Sequence, residues 1–160
     1  AGNETRRNTL TGGLMALTEN PSEREKLLKD PSLIANATDE MLRWVTSVIY
    51  FIRTATKDTN IRGQDIKAGD KIIMWYGSAN RDEDIFIDGH LFKVDRQNAK
   101  KHLAFGAGEH LCLGNRLWHM QIRILFEELL KRFPNIHSVA EPVRIPSNFL
   151  AGISELKVSI

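Results

Sequence analysis

The residues best suited to chemistry lie in one glycine-rich segment, Phe105-Gly106-Ala107-Gly108-Glu109-His110-Leu111-Cys112-Leu113-Gly114. Cys112 is the single cysteine of the chain and stands just ahead of a predicted helix. Exposed N–H groups and the dipole at a helix start favour the thiolate form of a cysteine there. Gly106 and Gly108 allow a tight loop or a close approach to a ligand, and Gly114 allows close packing against a flat partner. The segment therefore predicts a thiolate held in a tight loop.

Two other interpretations of this cysteine remain open from the residues alone. A single cysteine is often a small buried residue, here in a glycine turn. A zinc site built from His110, Cys112 and His119 is a weaker interpretation, because these residues lack the paired-cysteine spacing of structural zinc. For the cysteine considered by itself, the buried residue is favoured.

Two acidic residues stand at positions that suggest further chemistry. Glu40 and Arg43 are three residues apart in a predicted helix and therefore share a face. Such a pair is most often a solvated ion pair, worth under ~1 kcal/mol. Glu4 and Thr5 begin another predicted helix, where both residue types are ordinary near an N-terminal cap.

Hydrophobic periodicity predicts the elements that must position these residues. Four helices are predicted, one ending near residue 20 and the others over 22–28, 38–44 and 115–133. β-Branched and aromatic residues broken by turn signals predict a small antiparallel sheet over 48–76, and short strands end the chain. In the last helix the predicted buried stripe is Leu117, Met120, Ile124, Leu125 and Leu129. The fold class is therefore mainly α with a small antiparallel β part.

Composition excludes several classes of protein. With 160 residues, 42% hydrophobic and 26% charged, the chain suits one soluble globular domain. Its longest apolar run, residues 48–52, is far shorter than the ~20 residues of a membrane-spanning helix. A formal charge of +2 does not favour a nucleic-acid partner. No segment resembles a signal peptide and a single cysteine forms no internal disulfide, so a cytoplasmic location is expected.

The whole glycine-rich segment matches the signature Phe-Gly-x-Gly-x-His-x-Cys-x-Gly at every fixed position. In this the sequence resembles the cytochrome P-450 family of haem-thiolate monooxygenases. The resemblance implies heme b as the cofactor and Cys112 as the proximal thiolate ligand of its iron, which favours O–O cleavage. It places His110 near a haem propionate and gives cofactor-binding roles to Phe105, Gly106, Gly108 and Gly114.

Two further motifs follow the order found in that family. There the Glu-x-x-Arg pair, here Glu40 and Arg43, is buried and joined by another arginine, a role that Arg96 fits. The segment Ala1-Gly2-Asn3-Glu4-Thr5 resembles the oxygen-activation motif of the family. This implies that Thr5 hydrogen-bonds iron-bound oxygen species and that Glu4 helps to deliver protons through water.

The resemblance also implies a substrate pocket, lined by the strand after the Glu-x-x-Arg helix and by a turn near the C-terminus. The matching residues are Val48, Ile49, Tyr50, Phe51, Phe149 and Leu150. Arg53, the one charged side chain in these segments, is assigned to a haem propionate. The expected substrate is therefore apolar, such as an alkane, a fatty-acyl chain or a terpenoid. Residues 13–17, 115–123 and 146–152 resemble the bacterial branch that hydroxylates alkane and fatty-acid chain ends.

The resemblance covers residues 1–160 and predicts that they are the C-terminal portion of a single cytochrome P-450 domain. The implied reaction, insertion of one oxygen atom of O2 into a C–H bond, belongs to the parent protein, and the piece alone is expected to be inactive. One alternative is a haem-binding electron-transfer or sensor protein, which would have no need of Thr5 beside the iron. Another is a fragment unable to hold haem.

The expected electron donor is a separate protein, because the sequence holds no flavin-binding or iron–sulfur motif. Basic residues flank the glycine-rich segment in sequence, namely Lys100, Lys101, Arg116 and Arg123. They favour docking of an acidic ferredoxin. The alternative is that they are ordinary solvated side chains.

One departure from the family pattern lies at the start of the pocket strand. Ser47 stands where these relatives usually have proline. Loss of the proline ring is expected to loosen the chain at this point.

Overall fold

The structure is a computed structural model that describes residues 2–160. Ala1, the first residue of the predicted oxygen-activation segment, lies outside the described residues. Five α-helices are α1 (Glu4–Glu19), α2 (Pro21–Lys29), α3 (Ile34–Val45), α4 (Tyr76–Ala79) and α5 (Asn115–Arg132). Eight short strands are β1 (Tyr50–Thr54), β2 (Thr59–Ile61), β3 (Gln64–Ile66), β4 (Lys71–Trp75), β5 (His137–Ser138), β6 (Val143–Arg144), β7 (Ile153–Glu155) and β8 (Val158–Ser159). The predicted fold class, mainly helical with a small antiparallel β part, is confirmed.

The core lies where α3 packs against α1 on one side and α5 on the other. Its buried side chains include Leu17, Met41 and Phe126. Gly13 makes the close approach of the three helices feasible, since a Cβ there would lie 3.0 Å from the Met41 sulfur and 3.1 Å from the Phe126 ring. The core therefore holds together α1, α3 and α5, the helices that carry Thr5, Glu40 and Arg116.

The predicted buried stripe of α5 is wrong. Leu117, Met120, Ile124 and Leu125 are 40–49% exposed, and Leu129 is half-buried. The buried residues are instead Trp118, Ile122, Phe126 and Leu130. Apolar residues occupy more than one face of this helix, so periodicity alone did not select the face that meets α3.

The strands pair antiparallel, as predicted, in four two-stranded sheets. β1 pairs with β4 so that Arg53 lies opposite Ile72. β2 and β3 form a hairpin whose turn residues Arg62 and Gly63 have φ values of 48° and 84°. The β1–β4 pair follows α3 and carries Phe51 and Arg53 alongside the 105–114 loop. Within residues 2–160, each helix is too short or too polar to cross a membrane.

Candidate functional site

A cleft of about 550 Å³ opens between α1, the start of β1 and the 105–114 loop. It brings together predicted site residues that are up to 109 positions apart in sequence. Those that line it are Thr5, Val48, Phe51, Arg53, Phe105, Gly106, His110, Cys112 and Gly114. The cleft joins a thiol, a few polar groups and apolar walls, which is the usual composition of a small-molecule site.

The 105–114 loop closes on itself at the cysteine. The backbone N–H of Cys112 donates to the Phe105 carbonyl at 2.9 Å. Gly106 has a φ of 71°, and a Cβ there would lie 3.1 Å from the His110 carbonyl oxygen, so the turn requires glycine. Helix α5 begins directly after the loop with Gly114 as its cap, which supplies no side-chain hydrogen bond. The first-turn N–H groups of α5 therefore lack a side-chain cap beside the half-buried thiol.

Several predicted site residues lie outside the lining of the cleft. Gly108 is one of them, with a φ of 62° in the same loop. Glu4, the residue before Thr5, is exposed, and its Oε2 lies 2.5 Å from Arg7 Nη2. The helix cap here is Asn3, so neither Glu4 nor Thr5 takes that role. Thr5 and Glu4 thus differ in placement, the first in the cleft and the second at the surface.

The remaining predicted pocket residues form a second layer behind Phe51. The Phe149 ring centroid lies 5.6 Å from that of Phe51 and 6.0 Å from that of Tyr50. The backbone N–H of Ile49 donates to the Phe149 carbonyl at 3.0 Å, and Leu150 pairs with Val48 in an isolated bridge. Backbone pairing therefore attaches the C-terminal turn to the cleft wall, although Ile49, Tyr50, Phe149 and Leu150 do not line the cleft.

The Glu-x-x-Arg residues lie beside the cleft in a buried ion-pair cluster of Glu40, Arg43 and Arg96. Glu40 and Arg43 are fully buried, with Oε2 to Nε at 2.7 Å and Oε1 to Nη2 at 2.8 Å. Arg96 Nε donates to both Glu40 oxygens at 3.2 and 3.1 Å. One carboxylate thus joins two guanidinium groups, which makes the interaction a three-residue cluster and not a solvated pair.

The two guanidinium groups of the ion-pair cluster organise the irregular segment 78–102. Arg43 Nη1 donates to the carbonyls of Asn80 and Gly89 at 2.6 and 2.8 Å. Both arginines donate to the Leu91 carbonyl, and Arg96 also bonds the Ile87 and Asp88 carbonyls. A segment without regular strands or long helices is therefore fixed by charge-assisted hydrogen bonds to its backbone.

Sequence reasoning missed a set of buried amide and carboxylate groups that support this segment. Asn80, fully buried, donates from Nδ2 to Thr46 Oγ1 at 2.9 Å and accepts from the Leu103 N–H at 2.7 Å. Asn36 donates to the Val94 and Arg96 carbonyls, and a Glu23 oxygen accepts from the Val94 N–H. Their signal in sequence is weak, since polar residues in helices and turns are usually solvated.

The predicted zinc alternative is not assembled. His119 lies on α5 away from His110 and Cys112, in a polar cluster with Asp39 and His102. The Nε2 atoms of His102 and His119 lie 3.6 and 3.5 Å from Asp39 Oδ1. The Ala104 N–H donates to His102 Nδ1 at 3.2 Å, which assigns the ring proton of neutral His102 to Nε2, facing the carboxylate. Burial lowers the pKa of His119, although Asp39 acts in the opposite direction. The arrangement suits a carboxylate shared by two imidazoles better than a metal ion.

A second, open groove of about 820 Å³ lies on the α5 side of the 105–114 loop. Its lining includes Lys100, Arg116, His119 and Arg123. Lys101 is exposed but does not line the groove. Phe105 and Gly106 line both this groove and the cleft. Three of the four predicted basic residues therefore share one surface, separated from the cleft by the 105–114 loop.

Comparison with known proteins agrees with this arrangement. The family model described as "Cytochrome P450" matches residues 24–159. "Methyl-branched lipid omega-hydroxylase" of Mycobacterium tuberculosis is 43% identical over 99% of this chain and 37% of its own length. "Linalool 8-monooxygenase" of Pseudomonas putida is 41% identical over 98% of this chain and 38% of its own length.

A solved structure supports the same relationship. "Cytochrome P450-153 from Novosphingobium aromaticivorans" matches with a TM-score of 0.91 at 45% identity, over 99% of this chain and 40% of that one. The chain thus spans about two fifths of the length of the relatives it matches. By sequence, by fold and by the cysteine loop beside the cleft, the chain belongs to the cytochrome P450 family.

Proposed function

We propose that the protein to which this chain belongs is a haem-thiolate monooxygenase that inserts one oxygen atom of O2 into a C–H bond of an apolar substrate. The observation that carries the proposal is the cleft, in which the Cys112 loop and Thr5 of α1 line the same space. The identities of 41–45% to two hydroxylating relatives and a P450-153 structure support it.

The residues around Cys112 fit heme b. A Cβ at Gly114 would lie 4.0 Å from the Cys112 sulfur and 3.5 Å from the Trp118 ring, so the glycine keeps the approach to the thiol open. Arg53 and His110, both on the cleft, supply the positive charge and hydrogen-bond donors that propionates need. When bound through the Cys112 thiolate, the haem supplies the O2 chemistry of the reaction.

The side chains of the chain itself divide the remaining tasks. Thr5 places a hydroxyl in the cleft, where it can hold a proton at Oγ1. Glu4, exposed and paired with Arg7, can take up protons from solvent at the surface end of α1. Because Glu4 does not line the cleft, the proposal requires water between Glu4 and Thr5. Phe105 covers the loop with its ring against Trp118, at a centroid distance of 5.8 Å.

An apolar substrate fits the walls of the cleft. Val48 and Phe51 contribute hydrocarbon surface, and Phe149 supports Phe51 from behind. Among the residues that line the cleft, Arg53 is the one arginine, and none is a lysine, an aspartate or a glutamate. The proposed substrates are therefore an alkane, a fatty-acyl chain or a terpenoid, in line with the lipid and linalool substrates in the names of two relatives.

The test uses the haem-loaded, full-length enzyme with a panel of alkanes, fatty acids and terpenes. Type I spectral shifts are expected with apolar members, and hydroxylated products should carry 18O when the reaction runs under 18O2. Sugars and nucleotides serve as matched polar ligands and should give no shift. Shifts confined to the polar ligands, or products without label from O2, would overturn the proposal.

We also propose an acidic ferredoxin as the electron donor, docked on the groove lined by Lys100, Arg116 and Arg123. Exposed charges steer such docking, and salt screens them over a Debye length of ~8–10 Å. Charge reversal at Arg116 and Lys101 should slow reduction by a ferredoxin several-fold without changing substrate binding. Lys57→Glu, at an exposed position in the loop between β1 and β2, is the matched control. Reduction rates indifferent to both the reversal and ionic strength would place the donor elsewhere.

A further inference from the structure

Ser47, at the start of the pocket strand, contacts two other segments of the chain. It follows Thr46, whose φ of 43° ends α3 in a left-handed turn, and Ser47 itself is 7% exposed. Its carbonyl accepts from the Ala151 N–H at 2.9 Å, which ties the C-terminal turn to this point. Its hydroxyl reaches α1, where Oγ lies 3.1 Å from the Thr5 carbonyl oxygen. A single serine therefore connects α1, the end of α3 and the C-terminal turn.

A second hydroxyl completes the contact with α1. Thr9 is 2% exposed, and its Oγ1 lies 2.9 Å from the Thr5 carbonyl oxygen and 2.8 Å from Ser47 Oγ. Both Ser47 and Thr9 line the cleft with Thr5. The three oxygen atoms thus form a closed triangle on the wall of the cleft.

The Ser47 and Thr9 hydroxyls depend on each other, because they have fewer protons than the triangle has contacts. Each hydroxyl has one proton to donate, and the triangle contains three short oxygen–oxygen contacts. Either Ser47 donates to the Thr5 carbonyl while Thr9 donates to Ser47, or Thr9 donates to the carbonyl while Ser47 donates to Thr9. In both arrangements, removing one hydroxyl alters the bonding of the other, so the two substitutions should not be additive.

We propose that the Ser47–Thr9 hydroxyl pair positions Thr5 within the cleft by holding its carbonyl against the start of the pocket strand. The inference rests on the proposed function, in which the Thr5 hydroxyl handles a proton. Neither hydroxyl is assigned contact with the substrate or the haem. The pair sets the separation between α1 and the wall formed by residues 47–51, and with it the place of the Thr5 side chain.

The expected consequence is a change in how consumed O2 is used. Ser47→Ala and Thr9→Val should each lower the ratio of hydroxylated product to O2 consumed by about fivefold, the effect of about one net hydrogen bond. The lost product should appear as hydrogen peroxide or water. Ser47→Thr retains a hydroxyl and should restore most of the ratio. The double variant should be little worse than either single variant.

The measurement is made on the haem-loaded, full-length enzyme with an apolar substrate from the panel, after haem content and the type I shift have shown that each variant folds and binds. Thr11→Val is the matched control, because Thr11 makes a similar bond to the Arg7 carbonyl at 2.9 Å but does not line the cleft. A purely structural role would change thermal stability or haem content and leave the product ratio unchanged.

The outcomes separate this inference from the proposed function. A wild-type enzyme that oxidises no member of the panel overturns both. An active wild-type enzyme whose product ratio survives Ser47→Ala and Thr9→Val overturns the positioning role alone. The same is true if Thr11→Val lowers the ratio as strongly as they do.

Discussion

The buried ion-pair cluster and the cleft meet at α3, yet they are built in opposite ways. In the cluster, Glu40 accepts from two guanidinium groups and from the Lys93 N–H at 2.9 Å. The two arginines donate their other N–H groups to backbone carbonyls. In the cleft, polar groups are few, Phe51 is 42% exposed and Leu113 is fully exposed. One region satisfies its polar groups within the chain, and the other offers surface to a partner.

The contrast indicates that the cluster stabilises and the cleft binds. A buried charge that loses its partner costs far more than an exposed one, because neither water nor another group replaces the lost interaction. The apolar surface of the cleft gains its stabilisation only when a ligand covers it. Substitutions in the cluster should therefore lower the free energy of unfolding, and substitutions in the cleft should change ligand binding.

The largest effect is expected at the centre of the cluster. Glu40→Ala leaves Arg43 and Arg96 buried without a counter-charge and should lower the free energy of unfolding by about 3–5 kcal/mol. Stable haem incorporation should fail as a result. The measurements are denaturant unfolding and the yield of holoprotein from the full-length chain. A normal yield from Glu40→Ala would show that the cluster does not hold the fold.

A smaller effect tests the backbone around the cluster. Gly89, whose carbonyl accepts from Arg43, would place a Cβ 2.7 Å from the Arg81 carbonyl oxygen. Gly89→Ala should therefore cost about 1–3 kcal/mol through overpacking. Gly77→Ala is the matched control, since a Cβ at Gly77 meets nothing within 4 Å. Equal midpoints of thermal unfolding for the two variants would contradict this close approach.

The smallest effect is expected for an exposed ion pair. Arg132 and Glu128 are 2.7 Å apart near the end of α5, and their side chains are 68% and 48% exposed. Glu128→Ala should change the free energy of unfolding by no more than about 0.5 kcal/mol. A loss approaching that of Glu40→Ala would remove the distinction between the buried and the exposed charges.

The local elements were predictable because their signals are local. Helical periodicity located α1, α2, α3 and α5, and turn residues such as Arg62 and Gly63 located the β2–β3 hairpin. The signature around Cys112 indicated the family because all its fixed positions lie within one loop, residues 105–114. Each of these features depends on residues close together in sequence.

The remaining features depend on contacts between distant segments. Which face of α5 is buried depends on α3, and the apolar residues on several faces of α5 do not reveal it. The conformation of residues 78–102 has no periodic signal in the sequence. Arg43 and Arg96 hold this segment through hydrogen bonds to backbone carbonyls, which every residue has. The role of Ser47 likewise depends on Thr5 and Thr9, about forty residues away.

The central claim is that Cys112 provides the thiolate ligand of a haem in the cleft, while the fold rests on the separate ion-pair cluster. The most direct measurement is the absorption spectrum of the reduced, carbon monoxide-bound, full-length Cys112→Ala variant, with circular dichroism as the measure of folding. We expect a native helical spectrum and loss of the Soret band typical of thiolate-ligated haem. A variant that keeps that band would contradict the assignment of Cys112 as the ligand.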